Sequence, residues 1–230
     1  FAGEQREPRH AHADGQPGGD RRQCRRHHHV PEDVERRGAE RSRCAHQHLR
    51  RLLNPMHGVE YDREQRTEEG DVDDRGFFRE TFRKTELEEA LGKEFTIRQA
   101  NHSRSTKGTL RGIHRAPWNK MIYVTKGKVQ SVIVDLREGS PTFGKYESFI
   151  IGDDHRASIF VPAYCGNAYL VLSDEADYTY LTDEEWAPNK ETGIMWNDLD
   201  IAVKWEMTEG LLLSERDKGN PTVKEAFPKK

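Results

Sequence analysis

The stretch NHSRSTKGTLRGIHRAPWNK, residues 101–120, decides how the chain folds. It reads as strand, turn, strand, with Gly108 and Gly112 at places where a backbone bends or approaches a ligand closely. Three cations suited to a phosphate or an oxyanion, Lys107, Arg111 and Lys120, gather around one histidine, His114. Arg111 and His114 are three residues apart, so a regular strand would send them to opposite faces. They line one pocket only if the strand twists or bulges near Gly112. The pattern therefore predicts a site and not a plain structural strand.

Outward from this stretch the apolar period is two. Strands are expected at 95–101, 109–114, 120–126, 128–136, 146–151, 157–161, 167–173 and 176–182, and Val132, Val134 and Leu136 alternate as a half-buried strand requires. Turn signals separate them: KGK at 126–128, REGSPTFGK at 137–145, GDDHR at 152–156 and SDEAD at 173–177. Many short strands with regular punctuation predict an antiparallel sandwich or barrel. Before it, residues 57–73 suggest a short edge strand and a turn. The run DRGFFRE, 74–80, suggests either a core strand or an aromatic stacking platform beside an anion-binding arginine. TELEEAL, 85–91, predicts one short helix, with Thr85 as N-cap, Glu88 three residues on, and Gly92 as its stop. The tail, GIMWNDLDIAVKW then LLLSERDKGNP, predicts one more strand and an irregular C-terminus.

Residues 1–55 differ in kind. Their only large apolar residues are Phe1, Val30, Val34, Leu49, Leu52 and Leu53. The first 72 residues hold eight of the 11 histidines and 14 arginines, yet the first lysine of the chain is Lys84. Such a segment cannot bury a core. It is expected to be a disordered or non-native extension. Translated non-coding sequence ahead of a true start at Met56 is favoured over a functionless tail, and over an RNA- or metal-binding arm built on His27-His28-His29. Residues 56–230 would form the folded domain.

Net charge is −3, which excludes the positive excess of a nucleic-acid binder. No apolar run approaches the roughly 18 residues of a membrane span, and no signal-peptide core is visible. The three cysteines, Cys24, Cys44 and Cys165, have no metal-like pairing and suggest a reducing compartment. A cytoplasmic protein with no membrane or nucleic-acid partner is expected. Nor is a metal expected: beyond residue 72 only His102, His114 and His155 remain, and a metal needs three or four placed ligands. Without a metal, a serine-nucleophile motif or a P-loop, the remaining chemistry is proton transfer. A histidine base, a carboxylate to orient it and a tyrosine acid would suffice.

Several motifs then match one family. DDRGFFRE (73–80), QANHSRSTKGTLRGIH (99–114), Lys120, VDLREGSPTFGK (134–145), IFVPAYCGNAYLVLS (159–173), Thr179-Tyr180, GIMWNDLDIAVKW (193–205) and LSERD (213–217) occur in order over nearly the whole of 73–221. This stretch resembles the dTDP-4-dehydrorhamnose 3,5-epimerases. The resemblance implies an all-β, cupin-type jelly-roll barrel with one short N-terminal helix, usually a homodimer, that uses no metal or cofactor. It implies a nucleotide-linked 4-keto-6-deoxy sugar as substrate, epimerised by proton abstraction beside the ketone. By the same resemblance His114 is the base, Asp198 its carboxylate partner and Tyr180 the acid, while Lys120 stabilises the enolate. Arg75 and Arg111 would hold the pyrophosphate, and Phe78 and Glu80 would contact the nucleotide base from the partner subunit. Gln99 and Asn101 would lie along the substrate channel.

The chain departs from the family pattern at Asn167, within GNAY where an AHGF-type motif is usual. It also departs at Ser131 for an aspartate, at Trp186 for a tyrosine, and at Arg115-Ala116 after the histidine. All are expected in or near the sugar pocket. They leave open a C3- or C5-only epimerase, an epimerase of another nucleotide sugar such as a heptose, a ketoisomerase of the same barrel family, or a sugar-binding cupin without catalysis.

Overall fold

The computed structural model describes residues 59–61 and 72–228. The expectations for residues 1–55 and for Met56 lie outside the described residues.

Two five-stranded antiparallel sheets make the jelly roll. Strand β1 (Val59–Tyr61) lies at the edge of the first sheet, and β2 (Val72–Asp73) and β3 (Gly76–Phe77) form a separate two-stranded hairpin. Next come β4 (Gln99–Thr106), β5 (Leu110–Arg115), β6 (Lys120–Lys126), β7 (Lys128–Val134) and β8 (Tyr146–Gly152). They are followed by β9 (Ser158–Val161), β10 (Gly166–Val171), β11 (Glu175–Thr182) and β12 (Thr192–Gly193). The first sheet has the order β1-β9-β6-β11-β4 and the second β12-β5-β10-β7-β8. This double-sheet arrangement is how a jelly roll disposes of its edges.

Three apolar clusters hold the layers. Between the sheets lie Ile122, Val124, Val129, Ile133, Ile159, Tyr169 and Tyr178. On the outer face of the second sheet, Ile113, Val132, Val134 and Leu136 are covered by Ile194, Ile201 and Val223 of the C-terminal segment. The strand carrying Val132 and Val134 was expected to be half-buried. It is buried on both faces because that segment folds back over it. On the outer face of the first sheet, Met121, Phe160 and Leu181 pack against Leu87 and Phe95.

The helix expected at 85–91 is α1 (Lys84–Leu91), stopped by Gly92 at φ 64°. Its N-cap is Arg83 and not Thr85, with no side-chain cap. Phe95 does not lie in a strand. It is a core anchor, edge-on to Phe160 at 5.6 Å, and the strand begins four residues later at Gln99. The one further strand expected from the tail is short: only Thr192–Gly193 pairs, with Arg115 and His114, and the rest of GIMWNDLDIAVKW is irregular. Two single-turn helices follow, α2 (Glu215–Lys218) and α3 (Val223–Ala226). Of the two readings of the paired aromatics, the core strand is excluded, since Phe77 and Phe78 are 49% and 74% exposed.

The bulge expected near Gly112 is present. On β10, Asn167 faces His114 and Tyr169 faces Arg111, so Ala168 alone stands opposite both Gly112 and Ile113. The extra residue turns Arg111 and His114 to the same inner face, while Ile113 enters the outer core. Gly112 has φ +124°, and a Cβ there would meet Ala168 Cβ at 2.6 Å and Asn167 O at 2.7 Å. Gly112→Ala is therefore expected to lower stability by about 2–4 kcal/mol, read as a fall in the urea midpoint. A midpoint unchanged from wild type would contradict this account of the bulge.

Candidate active site

Period two sets the lining of a cleft between the sheets. On β11 Tyr178, Tyr180 and Thr182 point inward, and across the ladder they face Ser103, Asn101 and Gln99 of β4. On β6, Lys120, Ile122 and Val124 share the inner face. Ile122 and Val124 belong to the apolar core, whereas Lys120 opens into the cleft. Arg111 and His114 arrive from β5, and Asn167 and Tyr169 from β10. The space of about 260 Å³ is completed by Trp118, Trp186, Glu191 and Arg216.

His114 stands at its centre. Its Nε2 lies 2.7 Å from Asp217 Oδ1, and its Nδ1 lies 3.5 Å from Glu191 Oε1. Asp217 sits in α2 with its backbone N–H donated to Ser214 Oγ at 3.1 Å. Burial works to raise its carboxyl, but the His114 bond, the Ser214 contact and the Gly112 N–H together hold it below the usual range. A carboxylate on Nε2 fixes the tautomer with the proton on Nε2, leaving Nδ1 as the basic nitrogen.

Asp198, expected as the histidine's partner, has a different task. Its Oδ1 accepts from the N–H groups of Asp200 and Ile201 at 2.9 and 3.0 Å, and its Oδ2 from Val223 N–H at 2.8 Å. It ties the irregular C-terminal segment together, and the carboxylate on His114 is Asp217.

Lys120 is buried on the cleft wall, and its Nζ lies 5.8 Å from the centre of the Tyr180 ring. Among the described residues its ammonium has no hydrogen bond or ion pair. Burial pushes the ammonium below its ordinary value; nearby Glu191 opposes that shift and Arg216 adds to it. A desolvated cation without a counter-ion is a ready seat for a developing oxyanion. Tyr180 has the opposite displacement: burial, then Glu191 and Tyr169, raise its phenol, so it stays protonated at neutral pH.

At the mouth, Trp186 donates its backbone N–H to Gln99 Oε1 at 2.7 Å and its indole N–H to Glu191 Oε2 at 2.7 Å. Gln99 in turn donates to Asn101 Oδ1 at 2.7 Å. Glu191 also approaches Arg216 Nη2 at 3.6 Å.

Of the expected site residues, the cleft brings together His114, Tyr180, Lys120, Gln99, Asn101, Arg111, Asn167 and Trp186. Arg75, Phe78 and Glu80 do not line it. They lie on and after the N-terminal hairpin, Phe78 largely exposed and Glu80 paired with Arg83 at 2.9 Å. Lys107 is exposed in the turn after β4. Two of the departures also fall outside the cleft. Ser131 is fully buried opposite Tyr169, and Arg115 lies over the Tyr164 and Phe227 rings at 4.9 and 5.3 Å. Glu191, Arg216 and Asp217 were missed. The LSERD motif was the available signal for the last two. Among the described residues, no group of three or more His, Cys, Asp or Glu side chains has a metal-holding arrangement.

The fold and this cleft define a jelly-roll protein of the cupin kind with an inter-sheet site equipped for proton transfer. The chain belongs to the dTDP-4-dehydrorhamnose 3,5-epimerase family, whose model matches residues 66–225. A Pseudomonas aeruginosa protein named dTDP-4-dehydrorhamnose 3,5-epimerase is 39% identical over 161 residues, covering 68% of this chain and 89% of the relative. The crystal structure of RmlC from Legionella pneumophila, in complex with dTDP-4-keto-L-rhamnose, superposes with a TM-score of 0.63. Identity is 32%, over 72% of this chain and 85% of the other. ChmJ, a 3'-monoepimerase from Streptomyces bikiniensis in complex with dTDP-quinovose, superposes with a TM-score of 0.64 at 32% identity, over 74% of this chain and 82% of the other.

Proposed function

We propose that this chain is an isomerase that converts dTDP-4-dehydro-6-deoxyglucose into dTDP-4-dehydrorhamnose by inverting C3 and C5. The observation that carries the reading is the His114 Nε2–Asp217 contact of 2.7 Å in the same cleft as an unpaired, buried Lys120. Nδ1 of His114 takes the proton from the carbon beside the C4 ketone. The bonding pair moves into the ring and on to the ketone oxygen, and the Lys120 ammonium stabilises the enolate charge as it develops. The new imidazolium lies between two carboxylates, Asp217 and Glu191. Tyr180 delivers a proton to the other face of the same carbon. Return of the proton from imidazolium to phenolate through water restores both groups, and the cycle repeats at the second carbon.

Arg111 meets the diphosphate with charge-assisted hydrogen bonds. Arg75, Phe78 and Glu80, which stand outside their own chain's cleft, complete a partner's site in a homodimer. Asn167 and Trp186 touch the sugar or the base. The one described cysteine, Cys165, is a free buried thiol, in keeping with a reducing compartment, and the reaction belongs in the cytoplasm. Among the described residues no helix is long and apolar enough to cross a membrane.

The equal 32% identity to a double and a single epimerase, with Asn167 and Trp186 in the cleft, favours inversion at one centre as the second reading. Turnover of the dTDP-linked and GDP-linked 4-keto-6-deoxy sugars tests the proposal. Conversion of the dTDP-linked sugar is expected. A folded protein that binds thymidine diphosphate and converts neither sugar would overturn the enzyme in favour of a binding module.

A further inference from the structure

We propose that Tyr169 is a positioning residue for Arg111, acting through a chain of hydroxyls with a fixed direction. The inference rests on the reading of Arg111 as the diphosphate contact. Arg111 Nε and Nη2 both lie 3.2 Å from Ser105 Oγ. Ser105 Oγ is 3.4 Å from the Tyr169 hydroxyl, which is 2.8 Å from Ser103 Oγ. Ser103 Oγ donates to the Tyr178 carbonyl at 3.3 Å.

A guanidinium can only donate and a carbonyl can only accept, so both ends of the chain are fixed. Ser105 takes two N–H bonds on its oxygen and has one proton left, which goes to Tyr169. Tyr169 passes its own proton to Ser103, and Ser103 passes its own to the carbonyl. Each hydroxyl is polarised by the one before it, starting from a full positive charge. Ser105 and Tyr169 are buried, and the Tyr169 ring is locked by stacking on Tyr178 at 3.9 Å and 12°. The chain holds two of the three guanidinium nitrogens. Among the described residues Nη1 has no partner, so it is the nitrogen presented to the ligand. The pinned geometry lowers the ordering cost that a free arginine would meet on binding an anion.

The Tyr169 hydroxyl is the link on which this depends, and it stands where the AHGF-type motif has a phenylalanine. The substitution of that pattern by GNAY thus changes the anion subsite as well as the sugar pocket: Asn167 donates to the Tyr178 hydroxyl at 3.3 Å, and Tyr169 orders Arg111.

Tyr169→Phe deletes only the hydroxyl and keeps the stack. Calorimetric titration with thymidine diphosphate is made on wild type, Tyr169→Phe, Arg111→Ala and the double variant. Tyr169→Phe is expected to weaken binding by about three- to tenfold. In the Arg111→Ala background it is expected to change nothing, because a positioning residue has no effect once its target is gone. Equal losses in both backgrounds, or no loss in either, would overturn the proposal. In the ligand-free protein, the Arg111 Nε–H proton is expected to exchange with water about tenfold faster in Tyr169→Phe than in wild type, since the bond network holding it is opened. Unchanged exchange overturns the positioning role. Wild type that fails to bind thymidine diphosphate but shows the exchange difference overturns the diphosphate reading and leaves the positioning role standing.

Discussion

Asp217→Asn is expected to lower kcat by about two to four orders of magnitude with thymidine diphosphate affinity near wild type. The carboxylate on His114 Nε2, at 2.7 Å, holds the proton on that nitrogen and leaves Nδ1 free to accept. An asparagine there can turn its NH2 toward Nε2, which moves the ring proton to Nδ1 and removes the base. It also removes the charge that stabilises the imidazolium. Asp198→Asn is the contrasting variant. Its amide oxygen still accepts from Asp200 and Ile201, but its NH2 would face the Val223 N–H. A stability loss of about 1–3 kcal/mol is expected from that mismatch, with kcat little changed. Steady-state kinetics and urea unfolding of the two variants separate the roles. Loss of turnover in Asp198→Asn alone would return the dyad to the assignment first expected.

Lys120→Met is expected to reduce kcat by about 10²–10³-fold, with a smaller effect on KM. The ammonium meets a charge that exists only once the proton has left, so its removal weakens the transition state more than the ground state. Methionine keeps the buried volume and removes a desolvated charge, so the melting temperature is expected to hold or rise. The lysine also sets the alkaline limit of activity. Burial depresses its folded-state value below the ordinary lysine value. Activity is present while the group is charged and falls as pH rises through that depressed value, earlier than a solvent-exposed lysine would allow. A kcat profile flat to the ordinary lysine range in wild type, or an alkaline limb unchanged in Lys120→Met, would contradict this role.

Most strands were legible because their cue is local. The run KMIYVTK is short, apolar and rich in β-formers and ends at the turn signal KGK, and β6 spans Lys120–Lys126 as read. The bulge at Gly112 was legible for a different reason: two residues of one chemistry, three apart, needed it to share a pocket. The N-terminal boundary of β4 was not. Phe95-Thr96-Ile97 has the composition of a strand, yet tertiary packing uses Phe95 as a plug beneath α1, and the strand itself is the polar run QANHSRST. Asp217 was hidden for two reasons. It lies in a single-turn helix that reads as loop, and its contact with His114 spans 103 positions, a separation no pattern in the sequence encodes. Asp198 was assigned to His114 only through the resemblance of GIMWNDLDIAVKW to the family pattern, and a buried carboxylate there needs a partner in any case. It does have one, in backbone N–H groups.

Proton NMR in D2O with dTDP-4-dehydro-6-deoxyglucose tests the central claim most directly, because it observes the proton that His114 is said to remove. Deuterium at both C3 and C5 with wild type, and at neither with His114→Ala, is the predicted result. Both carbons left undeuterated by a folded protein that binds thymidine diphosphate would contradict it.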